Sequence, residues 1–290
     1  MVDLQVFALS GGRDFAWSDL GSTEGAPVVA LHGSPGTGHD FDPVAGIAAS
    51  CDVRLIAVDR PGYGHSTFDP KRTYESSASD IAELAEHLGL GRFGVVGWSS
   101  GGPNAAACAR FLGDHLTGCA IVSGPAPPQA NVSKRAKPRV FRTGERLGVR
   151  APRLVGMLAG AGLRQGQRDP DRALAWMLRT LPPCDAAVIG RPEIRAAVRA
   201  GVARPPSATA GRAAVQDVVL ESRSWGFALT DIDVPVHVWH GDADRNVAVG
   251  NGVYQARQIP GARLHQMPSE GHWLLVDHFR DILEPLRDRP

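Results

Sequence analysis

The sequence predicts an α/β protein: a mostly parallel central sheet covered by helices, with a helical cap inserted into it. Three observations carry that expectation. Short apolar runs of strand length alternate with helical segments at both ends of the chain, the pattern of a parallel sheet with helices on its faces. Between about Pro125 and Thr230 those runs vanish, and they resume at Val236, so both flanks belong to one sheet. The 290 residues, 43% apolar, can bury a sizeable core and lie near the length at which one core usually suffices.

In chain order, Leu4 to Leu9 and Phe15 to Leu20 read as an antiparallel pair turned through Ser10-Gly11-Gly12. Val28-Val29-Ala30-Leu31, Val53 to Val58, Phe93 to Val96, Ala120-Ile121-Val122 and Val236-His237-Val238-Trp239 are short and apolar, as strands buried on both faces are. Arg263 to Met267 is the last candidate strand. Tyr74 to Leu88 sets Ile81, Leu84, Ala85 and Leu88 at helical spacing, and Gly89 follows as a stop. After Pro125 the chain comes in helix-sized pieces punctuated by Pro152, Pro170, Pro182-Pro183, Pro192 and Pro205-Pro206. Residues 1–124 and 231–290 are therefore expected to form the core, and 125–230 the cap.

The formal net charge is +1, which makes the whole chain a poor polyanion binder, and no nucleic-acid partner is expected. That total conceals an asymmetry. Residues 130–225 carry 18 Lys and Arg against 7 Asp and Glu, whereas the remainder carries 13 against 23. Two readings stay open: solvated arginine faces that salt-bridge the cap to the core, or arginines turned toward the site to favour anionic substrates. Met1 to Ser10 lacks a basic, apolar and small-residue leader pattern, and no stretch approaches the roughly 18 apolar residues of a membrane span, so a cytoplasmic protein without a membrane partner is expected. Cys51, Cys108, Cys119 and Cys184 show neither CxxC pairing nor metal-ligand spacing and read as reduced, mostly buried thiols.

Gly97-Trp98-Ser99-Ser100-Gly101 follows a strand directly and precedes the helical stretch Asn104 to Leu112. A GxSxG sequence needs that context: the serine sits on a sharp, strained turn, and the residues two before and two after must be small. The turn lifts the hydroxyl above the sheet edge, while the helix start turns N–H groups toward developing negative charge. His32-Gly33-Ser34-Pro35-Gly36 leaves another strand, and its glycines let it fold back toward the elbow. The backbone N–H groups of Ser34 and Ser100 are then the expected oxyanion donors. An ordinary glycine-rich turn is the alternative for either segment taken alone.

A serine hydroxyl needs a base, and the base needs an acid to fix its tautomer. His240-Gly241-Asp242-Ala243-Asp244 leaves the strand at Val236, and Glu270-Gly271-His272-Trp273 follows the last candidate strand. Both loops leave C-terminal strand ends, where ligands of parallel sheets collect. Asp244 is chosen over Asp242, which lies nearer the strand and suits loop support. His272 is chosen over His278, which falls on the following helix. Trp98, Trp273 and His32 form the expected substrate pocket, with core packing, and for His32 a structural hydrogen bond, as the other readings.

With these motifs in place, the chain resembles the α/β-hydrolase superfamily from about Val28 to Leu286. Asp59-Arg60-Pro61-Gly62-Tyr63-Gly64-His65-Ser66 adds a match to that family's DxPGxGxS loop, which the resemblance makes structural and a part of the pocket lining. It implies catalysis by Ser99, Asp244 and His272 without metal or cofactor. Serine at position 99 sets the chain apart from epoxide hydrolases and haloalkane dehalogenases, which place aspartate there. Ester cleavage through an acyl-enzyme is the simplest expectation, with a small-molecule substrate and a monomer or homodimer. Proline iminopeptidase-like cleavage, carbon-carbon bond hydrolysis, a non-turnover ligand receptor, and a lyase or cyclase using Ser99 as proton relay are the alternatives.

Overall fold

The computed structural model describes residues 4–132 and 139–287. The first half of the chain runs β1 (Leu4–Ala8), β2 (Asp14–Gly21), β3 (Ala26–Leu31), α1 (Ala45–Ser50), β4 (Val53–Asp59), α2 (Tyr74–His87), β5 (Phe93–Trp98), α3 (Gly101–Phe111) and β6 (Leu116–Val122). Helices α4 (Arg139–Arg150), α5 (Pro152–Arg168), α6 (Pro170–Thr180), α7 (Pro183–Gly190), α8 (Pro192–Ala203) and α9 (Ala210–Glu221) follow. The chain then re-enters the sheet with β7 (Val236–Gly241), α10 (Gly250–Gln258), β8 (Arg263–Met267) and α11 (Leu275–Leu283).

These strands form one sheet in the order β1-β2-β4-β3-β5-β6-β7-β8. From β4 to β8 every neighbouring pair is parallel, and only β1 with β2 and β2 with β4 are antiparallel. The expected mostly parallel α/β sheet with inserted helices is therefore what the chain forms. Central strands are apolar on both faces because helices cover both. Val29, Leu31, Val95 and Ile121 pack with α2 and α3 on one side, while Val28, Val96 and Val122 pack with α1 and α11 on the other.

Local chemistry explains most boundaries. Thr73 caps α2 by accepting the Ser76 N–H on its hydroxyl oxygen, and the Ser76 hydroxyl oxygen accepts the Thr73 N–H in turn. Gly89, past the helix end, takes φ +61°, a left-handed conformation that glycine adopts without strain. The prolines of the insertion start helices: Pro152, Pro170, Pro183 and Pro192 each occupy a first-turn position, where the missing N–H costs nothing. Strand β6 begins at Leu116, four residues before the apolar run Ala120 to Val122. Leu116 and Gly118 pair with Phe93 and Gly94 of β5, and the register shifts at Thr117 between them, so the strand begins ahead of the apolar run.

Candidate active site

Ser99 stands at the C-terminal end of β5 with φ +54°, a conformation in which a side chain is strained. Neighbouring pairing sustains it: the Ser99 N–H donates to the Val122 carbonyl at 2.9 Å, and the Ser99 carbonyl accepts from Gly102 at 2.8 Å. The two motif glycines are sterically required. A Cβ on Gly97 would lie 2.3 Å from the Gly101 carbonyl oxygen, and one on Gly101 would lie 2.0 Å from that of Leu31. The helix α3 starts immediately afterwards, with Ser100 at its N-cap.

The His32-Gly33-Ser34 loop reaches this turn. A Cβ on Gly33 would fall 3.2 Å from Ser99 Cβ and 3.7 Å from Oγ, so the loop backbone lies directly against the serine. Ser34 exchanges a hydroxyl hydrogen bond with Tyr63 at 2.8 Å. His32, read from the sequence as a pocket residue, is fully buried instead. Its Nδ1 meets the Gly33 carbonyl at 2.7 Å and its Nε2 accepts the Arg60 N–H at 3.0 Å, so both ring nitrogens are spent on structure. Burial, with Arg60 adding to it, holds this imidazole well below its ordinary pKa, hence neutral.

His272 and Asp244 meet at the neighbouring strand ends. His272 Nδ1 lies 2.7 Å from Asp244 Oδ2, with the two residues 5% and 3% exposed. The other carboxylate oxygen, Oδ1, accepts the N–H groups of Asn246 at 2.7 Å and Val247 at 2.9 Å. Burial opposes ionisation of Asp244, but the His272 imidazole, His240 and these N–H donors outweigh it and hold the carboxyl below its ordinary range. Asp242 does a different job: its Oδ1 accepts the Ser269 N–H at 2.7 Å and joins the two loops. His278 sits on α11, where its Nε2 meets Glu270 at 2.7 Å.

Trp98 joins the serine turn to the histidine loop. Its indole N–H donates to the His272 carbonyl at 3.0 Å, its ring lies 5.6 Å from the imidazole, and Trp273 packs edge-on against it at 4.8 Å. Trp98 is thus a buried strut for the loop; Trp273 is the partly exposed member of the pair. The Asp59 to Ser66 loop is likewise structural. Asp59 accepts the N–H groups of Gly38 at 2.9 Å and His65 at 3.0 Å, while Arg60 and Tyr63 are buried.

Sequence reading missed three residues here. His240, buried at the end of β7, meets the Val247 carbonyl at 2.8 Å and supports the Asp244 turn. Asp217 of α9 and Asp185 of α7 come from the inserted helices. Asp185, 1% exposed, accepts the Trp273 N–H at 2.9 Å, and burial raises its carboxyl above the ordinary range. Residues 130–225 hold seven acids, and only packing shows which of them turn inward. Several insertion arginines make surface ion pairs: Arg191 with Asp277, Arg199 with Asp171, and Arg204 with Asp42. Two of these reach the sheet domain, as the salt-bridging reading of the charge asymmetry expects. Among the described residues no cluster of three metal-ligating side chains occurs, and no helix is long and apolar enough to cross a membrane.

A family model described as the alpha/beta hydrolase fold matches residues 26–279. A non-heme haloperoxidase from Rhodococcus erythropolis is 32% identical over 120 residues, which cover 41% of this chain and 43% of that protein. The matched stretches span less than half the length of the curated relatives. Among solved structures, a hydrolase from Pseudomonas aeruginosa superposes with TM-score 0.70 at 21% identity, over 98% of both chains. An esterase from Thermogutta terrifontis does so with TM-score 0.69 at 23% identity, over 99% of this chain and 100% of that one.

Proposed function

Because the chain belongs to the alpha/beta-hydrolase fold family, we propose that it is a serine hydrolase that cleaves a carboxylic ester or related acyl bond through an acyl-enzyme. The observation that supports this most is the buried His272–Asp244 pair, tied through Trp98 to the strained turn that carries Ser99. Asp244 on Nδ1 selects the tautomer with its proton on that nitrogen and leaves Nε2 as the base. His272 takes the Ser99 proton as Oγ attacks the carbonyl carbon, and the Ser34 and Ser100 N–H groups receive the oxyanion. The imidazolium, stabilised by Asp244, protonates the leaving alkoxide, and water repeats the cycle on the acyl-enzyme. Structural neighbours that are esterases favour an ester as the acyl donor, on the strength of fold likeness alone.

Two measurements test the proposal. A fluorophosphonate probe followed by peptide mapping is expected to label Ser99, and Ser99→Ala is expected to abolish turnover of short-chain p-nitrophenyl esters. Labelling elsewhere, or turnover that survives Ser99→Ala, overturns it. A panel of acyl esters, prolyl amides and dienoic acids separates ester cleavage from the two alternative hydrolyses. Ligand binding without turnover on any of them would leave a receptor.

A further inference from the structure

The inserted helices reach the oxyanion loop through one buried guanidinium. Arg60 Nη1 and Nη2 donate to the two carboxylate oxygens of Asp217 on α9, each at 2.9 Å. The same side chain donates from Nε to the His32 carbonyl at 2.9 Å and from Nη2 to the Gly33 carbonyl at 2.8 Å, while its backbone N–H meets His32 Nε2 at 3.0 Å. Tyr63 donates its hydroxyl to Asp217 at 2.5 Å, so the Ser34 hydroxyl donates to Tyr63 at 2.8 Å. Arg72 closes the cluster, bonding Asp217 and the Pro61 carbonyl without touching the loop. Asp217, Arg60 and Arg72 are all nearly excluded from solvent.

Burying such a cluster is a poor route to stability, because the desolvation of each charge consumes most of the attraction between them. Its geometry has a more specific consequence. A trans peptide is planar, with C=O and N–H pointing to opposite sides. Arg60 and His32 Nδ1 both hold the Gly33 carbonyl, so the Ser34 N–H of the same peptide unit is turned away from Arg60. Gly33 itself lies against Ser99. Only a planar fork reaches the carboxylate and both carbonyls together; an ammonium cannot.

We propose that Asp217 and Arg60 are positioning residues for the oxyanion hole: the cap carboxylate fixes the guanidinium, and the guanidinium sets the direction of the Ser34 N–H. Seating of α9 then controls transition-state stabilisation rather than substrate affinity. The inference rests on the serine-hydrolase reading above.

The test is steady-state kinetics on p-nitrophenyl butyrate with Asp217→Asn and Arg60→Lys, alongside thermal unfolding and inhibition by an alkyl trifluoromethyl ketone, which forms a tetrahedral oxyanion adduct on serine. A misdirected donor is expected to lower kcat about 10- to 100-fold. In Asp217→Asn and Arg60→Lys, KM should stay within about threefold, and the ketone Ki should rise in parallel with the loss of kcat. Arg60→Lys keeps the charge facing Asp217 and so supplies a folded readout should Asp217→Asn fail to fold. Wild-type kcat in folded Arg60→Lys, or a loss of kcat with an unchanged ketone Ki, overturns the inference. Turnover that survives Ser99→Ala overturns the hydrolase reading instead.

Discussion

The Trp98 indole N–H donates to the backbone carbonyl of His272 at 3.0 Å, so the residue before the serine holds the loop that carries the histidine. Trp98→Phe keeps most of the packing and removes the bond. An unmade neutral hydrogen bond is worth about 1 kcal/mol, so a several-fold fall in kcat with little change in KM is expected. Trp98→Ala also opens a cavity, and thermal unfolding should show a stability loss of about 3–5 kcal/mol. A Trp98→Phe enzyme with wild-type kcat would mean that packing alone positions the loop.

The two acids of the His240 to Asp244 segment should separate cleanly. Asp244→Asn disturbs the His272 tautomer and is expected to lower kcat by about three to four orders of magnitude. Asp242→Asn retains an acceptor for the Ser269 N–H and should keep kcat within about tenfold. Ester hydrolysis by the two purified variants decides it, and equal losses would contradict the assignment.

Two glycines give opposite stability outcomes. Gly101→Ala drives a methyl into the Leu31 backbone carbonyl and should prevent folding or sharply lower the melting temperature. Gly162, on an outward face of α5, has nothing within 4 Å of its would-be Cβ. Gly162→Ala is expected to stabilise by about 0.5–1 kcal/mol, read by calorimetry as a rise of a degree or more.

Asp40 supplies a pH prediction. Burial pushes its carboxyl up to about 7, with Asp59 adding to the effect against a Thr37 backbone hydrogen bond. An unfolded aspartate releases its proton near pH 3.9, so between about pH 4 and 7 the folded chain binds more protons than the unfolded one. Raising the pH through that window therefore removes stability. Asp40→Asn lacks this term, and its melting temperature relative to wild type should increase from pH 4.5 to pH 7.5. A constant difference across that range would refute the assignment.

The parallel sheet, the helical insertion and the serine turn were legible because each is written in local chemistry. Strands buried on both faces must be apolar, helix starts tolerate proline, and a strained serine between strand and helix needs small neighbours at fixed spacing. The histidine and acid loops were legible for a related reason, since chain order and strand ends place them on one edge. His32 and Trp98 stayed open between pocket and scaffold because chemistry-bearing types near a motif look alike in sequence, and the family resemblance made the Asp59 to Ser66 loop both structural and part of the pocket lining. Packing ties them into the scaffold, where His32, Trp98 and Asp59 meet backbone partners and Arg60 and Tyr63 meet the Asp217 carboxylate. Asp185 and Asp217 were not identifiable at all. Each lies in a basic insertion far along the chain from the group it touches, and a long-range contact such as Asp217 with Arg60 leaves no periodicity or spacing to read. The sequence by itself determined the fold class and a ranked set of catalytic candidates; the tertiary structure decided how the inserted helices grip the loops around Ser99, because that grip consists of pairings between distant segments.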